Sequence, residues 1–273
     1  MLSQAIHIYP LREWAAYFFI YCFIGWIWET LYCSLKARKF QNRGFMFGPW
    51  IPLYGSGALV MLLVALPVSD RPWLVFVAGG LSATALEFVV GAAMEAIFKV
   101  RYWDYSDVRG NLCGYVCLPA SLLWGGFTLL LVYVVHEPMV RLVESVPQIT
   151  LSLLDVLAGA CFAADFTVSL KAAVDLRRVL TSMEKVRQEL EDVRRQIEQR
   201  AAERLESSPA HESLERLRER SEELRAQLER RRSERAPWRD RLMRRHSGLR
   251  SSHFPEALEK LREAAARRFE DDK

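Results

Sequence analysis

The sequence predicts an all-α protein, a polytopic membrane helix bundle of five spans joined to a cytoplasmic coiled-coil tail. Three observations carry this. Five apolar segments approach or exceed the about 20 helical residues that cross 30 Å of hydrocarbon. Charge is split along the chain: residues 1–170 hold 10 Lys/Arg and 11 Asp/Glu, residues 171–273 hold 27 and 22. In the second half, apolar residues recur three and four apart, the spacing of a helical seam. The overall charged fraction of 26% suggests a soluble protein only because it averages over these two halves.

The apolar segments run roughly Trp14–Leu35, Pro52–Val68, Pro72–Phe98, Cys113–Val135 and Ile149–Leu170. No basic leader precedes the first and no small-residue cleavage site follows, so it reads as a retained span. Lys36, Arg38, Lys39 and Arg43 fill the first loop, and Lys99, Arg101 and Arg109 the third. The second and fourth offer only Arg71 and Arg141. Positive loops stay inside, so the N-terminus is expected outside the cell membrane and the tail in the cytoplasm. The domains are then 1–172 in the membrane, 173–235 as a coiled-coil hairpin, and 236–273 as a basic, partly helical end.

Four acids stand out within these spans: Glu29, Glu87, Glu95 and Asp165. A charge at mid-bilayer costs about 2.5–3.5 kcal/mol on insertion scales, so such acids face a bundle interior or a wet cavity. The alternative is that some lie near the surface and pair with loop arginines. In the third span Gly79, Ala83, Glu87, Gly91 and Glu95 step by four, which makes one face of small residues broken by two acids. Such a face packs against protein rather than lipid.

The membrane half reads as one hairpin used twice. Gly25 and Glu29 end the first span as Gly91 and Glu95 end the third. A basic loop follows each, then Asn42 and Gly44 in one copy and Asn111 and Gly114 in the other. Two parallel copies imply a pseudo-twofold axis along the membrane normal. The stretch Gly44–Gly57 is rich in Gly and Pro. It is either an irregular segment dipping into the cytoplasmic mouth or a proline-marked entry to the second span. After the third span, Trp103 and Tyr105 suit an interfacial level, and Asp104 is placed to cap or to pair with a loop arginine.

These residues resemble a known family. The run Asn42-Arg43-Gly44-Phe45 to Gly48-Pro49, then Pro52 and Tyr54-Gly55, is similar to its first motif. Leu86-Glu87, Gly91, Glu95, Trp103-Asp104-Tyr105-Ser106, Asn111, Gly114, Ser121 and Trp124-Gly125 are similar to its second. The family is that of bacterial CmpB-like, ABC-transporter type IV membrane proteins. The resemblance covers about residues 14–135 and implies a permease. The chain has no phosphate-binding Gly-x-x-x-x-Gly-Lys-Ser/Thr loop, so ATP hydrolysis would need a separate ATPase subunit.

Catalysis has no visible machinery: no His-Glu-x-x-His and no Ser/His or Cys/His arrangement, so no catalytic residue, cofactor or metal is assigned. Cys113 and Cys117 have helical spacing but no nearby histidine, and read as small packing residues. His136 is placed in an outer loop.

In the tail, Met183, Val186, Leu190, Val193 and Ile197 form one seam, and Leu214, Leu217, Leu224 and Leu228 resume it after Ser207-Ser208-Pro209. This is either an antiparallel hairpin or a parallel dimer, which would make the protein a homo-oligomer. Nine arginines in Arg230–Arg250 suit anionic lipid head groups of the bilayer; nucleic acid is disfavoured, since no recognition fold accompanies them.

The function this predicts is a membrane transporter or permease component that binds or moves a small solute or cation through an acid-lined, cytoplasm-facing cavity. Glu29, Glu87, Glu95 and Asp165 are its candidate ligands. Asn42, Arg43, Asp104 and Asn111 are candidate polar contacts at its entrance. The rival is a membrane scaffold or sensor that recruits a partner through its coiled coil.

Overall fold

The computed structural model describes residues 9–38, 40–202, 208–234, 236–246 and 248–271. The helices are α1 (Leu11–Ala37), α2 (Pro52–Ala65), α3 (Pro72–Phe98), α4 (Leu118–Leu130), α5 (His136–Glu144), α6 (Gln148–Ala202), α7 (Ser208–Ser233), α8 (Pro237–Arg245) and α9 (Pro255–Asp271). A short antiparallel pair, β1 (Asn111–Leu112) and β2 (Val116–Cys117), precedes α4.

Among the described residues, four helical stretches are long and apolar enough to cross a membrane: Leu11–Ala37, Pro72–Phe98, Leu118–Glu144 and Gln148–Gln199. Pro52–Val68 is apolar but shorter. Proline opens several helices, as at Pro52, Pro72 and Pro237, where its missing N–H has no intrahelical partner to lose.

Three boundaries differ from the sequence reading. Residues before Leu118 form a turn-rich β-hairpin, because Gly110 (φ 73°) and Gly114 (φ 74°) take left-handed backbone there. The fourth apolar run continues beyond Val135 through a π turn, Leu131–Val135, into α5. Its first turn therefore holds His136, which is a buried helical residue and not a loop residue. The fifth apolar segment also does not end at its polar boundary. No Gly or Pro follows Gly159 until Pro209, so nothing breaks α6 where its surface turns polar.

The chain divides into two units. The first comprises residues 1–97, 101–171 and 245–249. Its core gathers Trp14, Tyr17 and Tyr21 of α1, Met61 and Leu62 of α2, Leu131 of the π turn and Leu151 of α6. His136 sits 2.8 Å from the Tyr21 hydroxyl and 3.2 Å from that of Tyr9, which satisfies both ring nitrogens.

Helix pairs in this unit approach through glycine. A Cβ on Gly25 would overlap the Tyr54 side chain, and one on Gly55 would overlap Cys22, so α1 and α2 touch only because neither glycine has one. Gly79 meets Thr128 in the same way between α3 and α4. On α3 the whole row Gly79, Ala83, Glu87, Gly91 and Glu95 is buried, while Trp73, Val77, Leu81 and Val89 are exposed. The face read from the sequence as protein-packed is the buried one.

The second unit comprises residues 98–100, 172–244 and 250–273. Leu176, Leu180, Met183 and Val186 of α6, Leu214 and Leu224 of α7, Leu242 of α8 and Leu258 and Leu261 of α9 are buried in it. Ion pairs Arg220–Glu189 (3.5 Å), Arg187–Glu256 (2.8 Å) and Arg232–Glu263 (3.4 Å) link α7 to α6, α6 to α9 and α7 to α9. Arg239 of α8 is 1% exposed, 3.7 Å from Asp175, and donates to Glu234 O at 2.7 Å. The seam break at Ser207 lies outside the described residues.

Candidate functional site

The acids of the spans fall into different environments, and the difference is one of countercharge. Glu87 lies on the buried face of α3. Its two oxygens accept from Tyr105 Oη (3.3 Å) and Trp124 Nε1 (2.9 Å). Glu29, on α1, accepts from Tyr54 Oη (3.0 Å) and lies 3.8 Å from the Cys33 thiol. Among the described residues, every one of these donors is neutral. The Tyr54 and Trp124 rings meet edge to face at 5.7 Å, so Glu29, Tyr54, Trp124 and Glu87 form one connected series across α1, α2, α4 and α3.

Glu95, two turns along α3 from Glu87, is different. Its Oε2 accepts from Arg101 Nε (2.7 Å) and from Tyr115 Oη (2.7 Å). Arg101 also reaches Asp104 at 3.3 Å and stacks over the Tyr115 ring at 5.0 Å. Asp104 in turn accepts from the Ser106 N–H at 3.0 Å. Burial acts to raise the Asp104 carboxyl, but the Ser106 bonds and Arg101 outweigh it and hold it below its ordinary value. Glu95 and Asp104 thus share one arginine.

Asp165 projects from α6 at the first loop. Its oxygens accept from the backbone N–H of Phe47 (2.9 Å) and Gly48 (2.7 Å). A side chain on Gly48 would meet this carboxylate, since an added Cβ would lie 2.8 Å from Oδ2. Residues 44–50 are irregular, and α2 starts at Pro52, which stands in its first turn as a proline-marked entry requires. Ile51 closes the loop's far end by donating to Cys22 O at 3.1 Å.

The candidate entrance residues are held in place by the two loops. Asn42 Oδ1 accepts from Trp26 Nε1 at 2.7 Å and from Arg245. Arg43 Nε points to Cys33 Sγ at 3.2 Å. Asn111 caps its own hairpin, donating to Val108 O (2.7 Å) and accepting from the Gly114 N–H (3.0 Å). The structure therefore joins Glu29 to Glu87 and Glu95 to Asp104, and places Asp165 with the first loop.

Sequence reasoning passed over Asp155, a fifth acid within the apolar part of α6, whose Oδ2 is buried without a hydrogen bond. Its position in an apolar run was the available signal. It also missed the donors Tyr54, Tyr105 and Trp124 as ligands of the acids. Among the described residues no group of three or more His, Cys, Asp or Glu side chains is arranged to hold a metal ion.

A family model described as "Putative ABC-transporter type IV" matches residues 16–170, more than half of the chain. No curated protein and no solved structure matches it.

Proposed function

The chain belongs to this family, and from that premise we propose a membrane transport component that binds a proton or a small cation at Glu29 and Glu87. One observation carries this: among the described residues both acids accept hydrogen bonds from neutral donors alone, while Glu95 and Asp104 have an arginine. Burying a carboxylate whose hydrogen-bond partners are all neutral is costly unless a proton or cation accompanies it, and Glu87 is 4% exposed. The pair Glu29/Glu87 has the composition of a cation or proton site, and the Arg101 cluster that of a structural clamp.

Pro52–Val68 acts as a fifth, short span beside the four long ones. The basic loops place the N-terminus outside and the tail in the cytoplasm. The apolar rows of α6 and α7 form a coiled-coil hairpin, and hydrolysis comes from a separate ATPase subunit. Anionic head groups fit the exposed Arg230, Arg231, Arg241 and Arg250, the more so because Arg241 stacks on the half-exposed Trp238 at 5.0 Å. The rival reading, a scaffold that recruits a partner through the coiled coil, rests on the length of α6, whose 55 residues run well beyond its apolar part.

The test is cation and proton flux in proteoliposomes containing the full chain. Glu87→Gln keeps the size of the side chain and accepts from Tyr105, but cannot exchange a proton. It should insert normally and lose flux at least tenfold. Full flux with Glu87→Gln sinks the transport reading.

A further inference from the structure

The first loop is met by a part of the chain 200 residues away. Arg245, the last residue of α8, donates to Asn42 Oδ1 and to Arg43 O (3.1 Å), and its guanidinium stands 5.8 Å from the centre of the Phe47 ring. His246 follows with Nε2 3.0 Å from Gly44 O and its ring edge-on to Tyr102 at 4.9 Å. Arg245, His246 and Leu249 are 8%, 5% and 2% exposed. The contacts cap carbonyls that Gly44, in left-handed backbone at φ 108°, turns away from any regular ladder.

We infer that Arg245 and His246 form a releasable latch, which closes the Asn42–Gly48 loop by giving it a guanidinium and an imidazole as donors. The arrangement suits release. A tethered segment needs only modest contacts to stay bound, since the tether supplies a high effective concentration. Without it, Trp26 and Thr30 of α1 still bond Asn42 and Arg43, and Asp165 still holds Phe47 and Gly48, so release frees the Arg43 and Gly44 carbonyls between two anchors that stay in place.

The latch also carries a proton switch. The groups facing His246 are Arg43 on the loop, Arg245 beside it and Tyr102 across the ring. Burial first, then Arg43 and Arg245, push the imidazole down to about 3 from its ordinary 6.5, against the Gly44 carbonyl, which raises it. A depressed base favours the closed state fully above pH 6.5. Below that the released state takes up the proton, so closure weakens as pH falls toward the bound value. At pH 5 the balance moves toward release by about 30-fold.

That the latch regulates transport rests on the reading of Asn42 and Arg43 as the entrance; the docking itself does not. Backbone amide exchange of residues 43–46 in the full chain, in lipid nanodiscs, tests it. Arg245→Ala should speed exchange at least tenfold at pH 7.5, and Arg241→Ala, exposed on the same helix, should not. In the unmutated protein exchange should rise between pH 7 and pH 5, after correction for intrinsic rates, and His246→Gln should remove that rise. The pH arm needs no destabilising variant. Unchanged exchange in Arg245→Ala, or an acid response that persists in His246→Gln, overturns the latch. An opened loop with unchanged proteoliposome flux supports the latch and overturns the entrance reading alone.

Discussion

The hairpins α1–α2 and α3–α4 share a Gly-x-x-x-Glu helix end and an Asn…Gly loop, yet they are stabilised in opposite ways. The second loop holds itself. Asn111, Asp104 and Ser106 bond within it, Trp103 Nε1 donates to Tyr115 O at 2.9 Å, and Arg101 neutralises Glu95. The first loop draws on more distant partners: besides Trp26 and Thr30 of α1, it is held by Asp165 of α6 and by Arg245 and His246, and among the described residues the acid at its helix end accepts from neutral donors alone. Similar motifs thus make one loop bonded mainly within itself and one that also draws on segments remote in sequence.

Glu95→Gln should give the largest change in stability. It leaves Arg101 with Asp104 alone and removes a charge-assisted bond, worth about 1.5–3 kcal/mol. The corresponding Glu29→Gln breaks no ion pair with an arginine and should cost less, about 1 kcal/mol. Denaturant unfolding in detergent measures both, and equal losses would erase the distinction between the acids. Asp165→Asn comes next. Its amide oxygen cannot serve both N–H groups as well as a carboxylate does, so about 1–2 kcal/mol should be lost. Exchange should rise at Phe47 and Gly48 but not at Gly114. Asn111→Ala should cost about 1 kcal/mol and disturb only the second loop, because its partners all lie within eight residues.

Acid should separate the loops as well. Asp104 sits below its ordinary value of 3.8, so the clamp's stabilisation is present above that pH and fades only as pH falls below it. The first loop should loosen already below 6.5. Amide exchange in the two loops across pH 7 to 4 checks this order.

What the sequence made legible was what local pattern encodes. Continuous hydropathy located α1 and α3, with Pro72–Phe98 matching the helix end to end. The four-residue row picked the buried face of α3, because burial there follows helix geometry. The carboxylate roles were not legible. Whether Glu95 or Glu87 meets an arginine depends on how the loop after α3 folds back, and nothing near Glu87 announces Trp124. Asp165 and Arg245 reach the first loop across 118 and 203 residues, separations that leave no periodic trace. The fourth apolar run was ended too early, at Val135, because polar residues such as Glu137 and Arg141, an i,i+4 pair at 3.1 Å, continue the helix as α5.

The central claim is that Glu87 exchanges a proton or cation and Glu95 does not. Infrared difference spectroscopy on the full chain in lipid tests it most directly, following the protonated carboxyl band as pH is raised and as NaCl or KCl is added at fixed pH. The account predicts a buried carboxyl signal that responds to pH or cation, disappears in Glu87→Gln and persists in a folded Glu95→Gln. A signal unchanged in Glu87→Gln, or none responsive to pH or either salt, would contradict it.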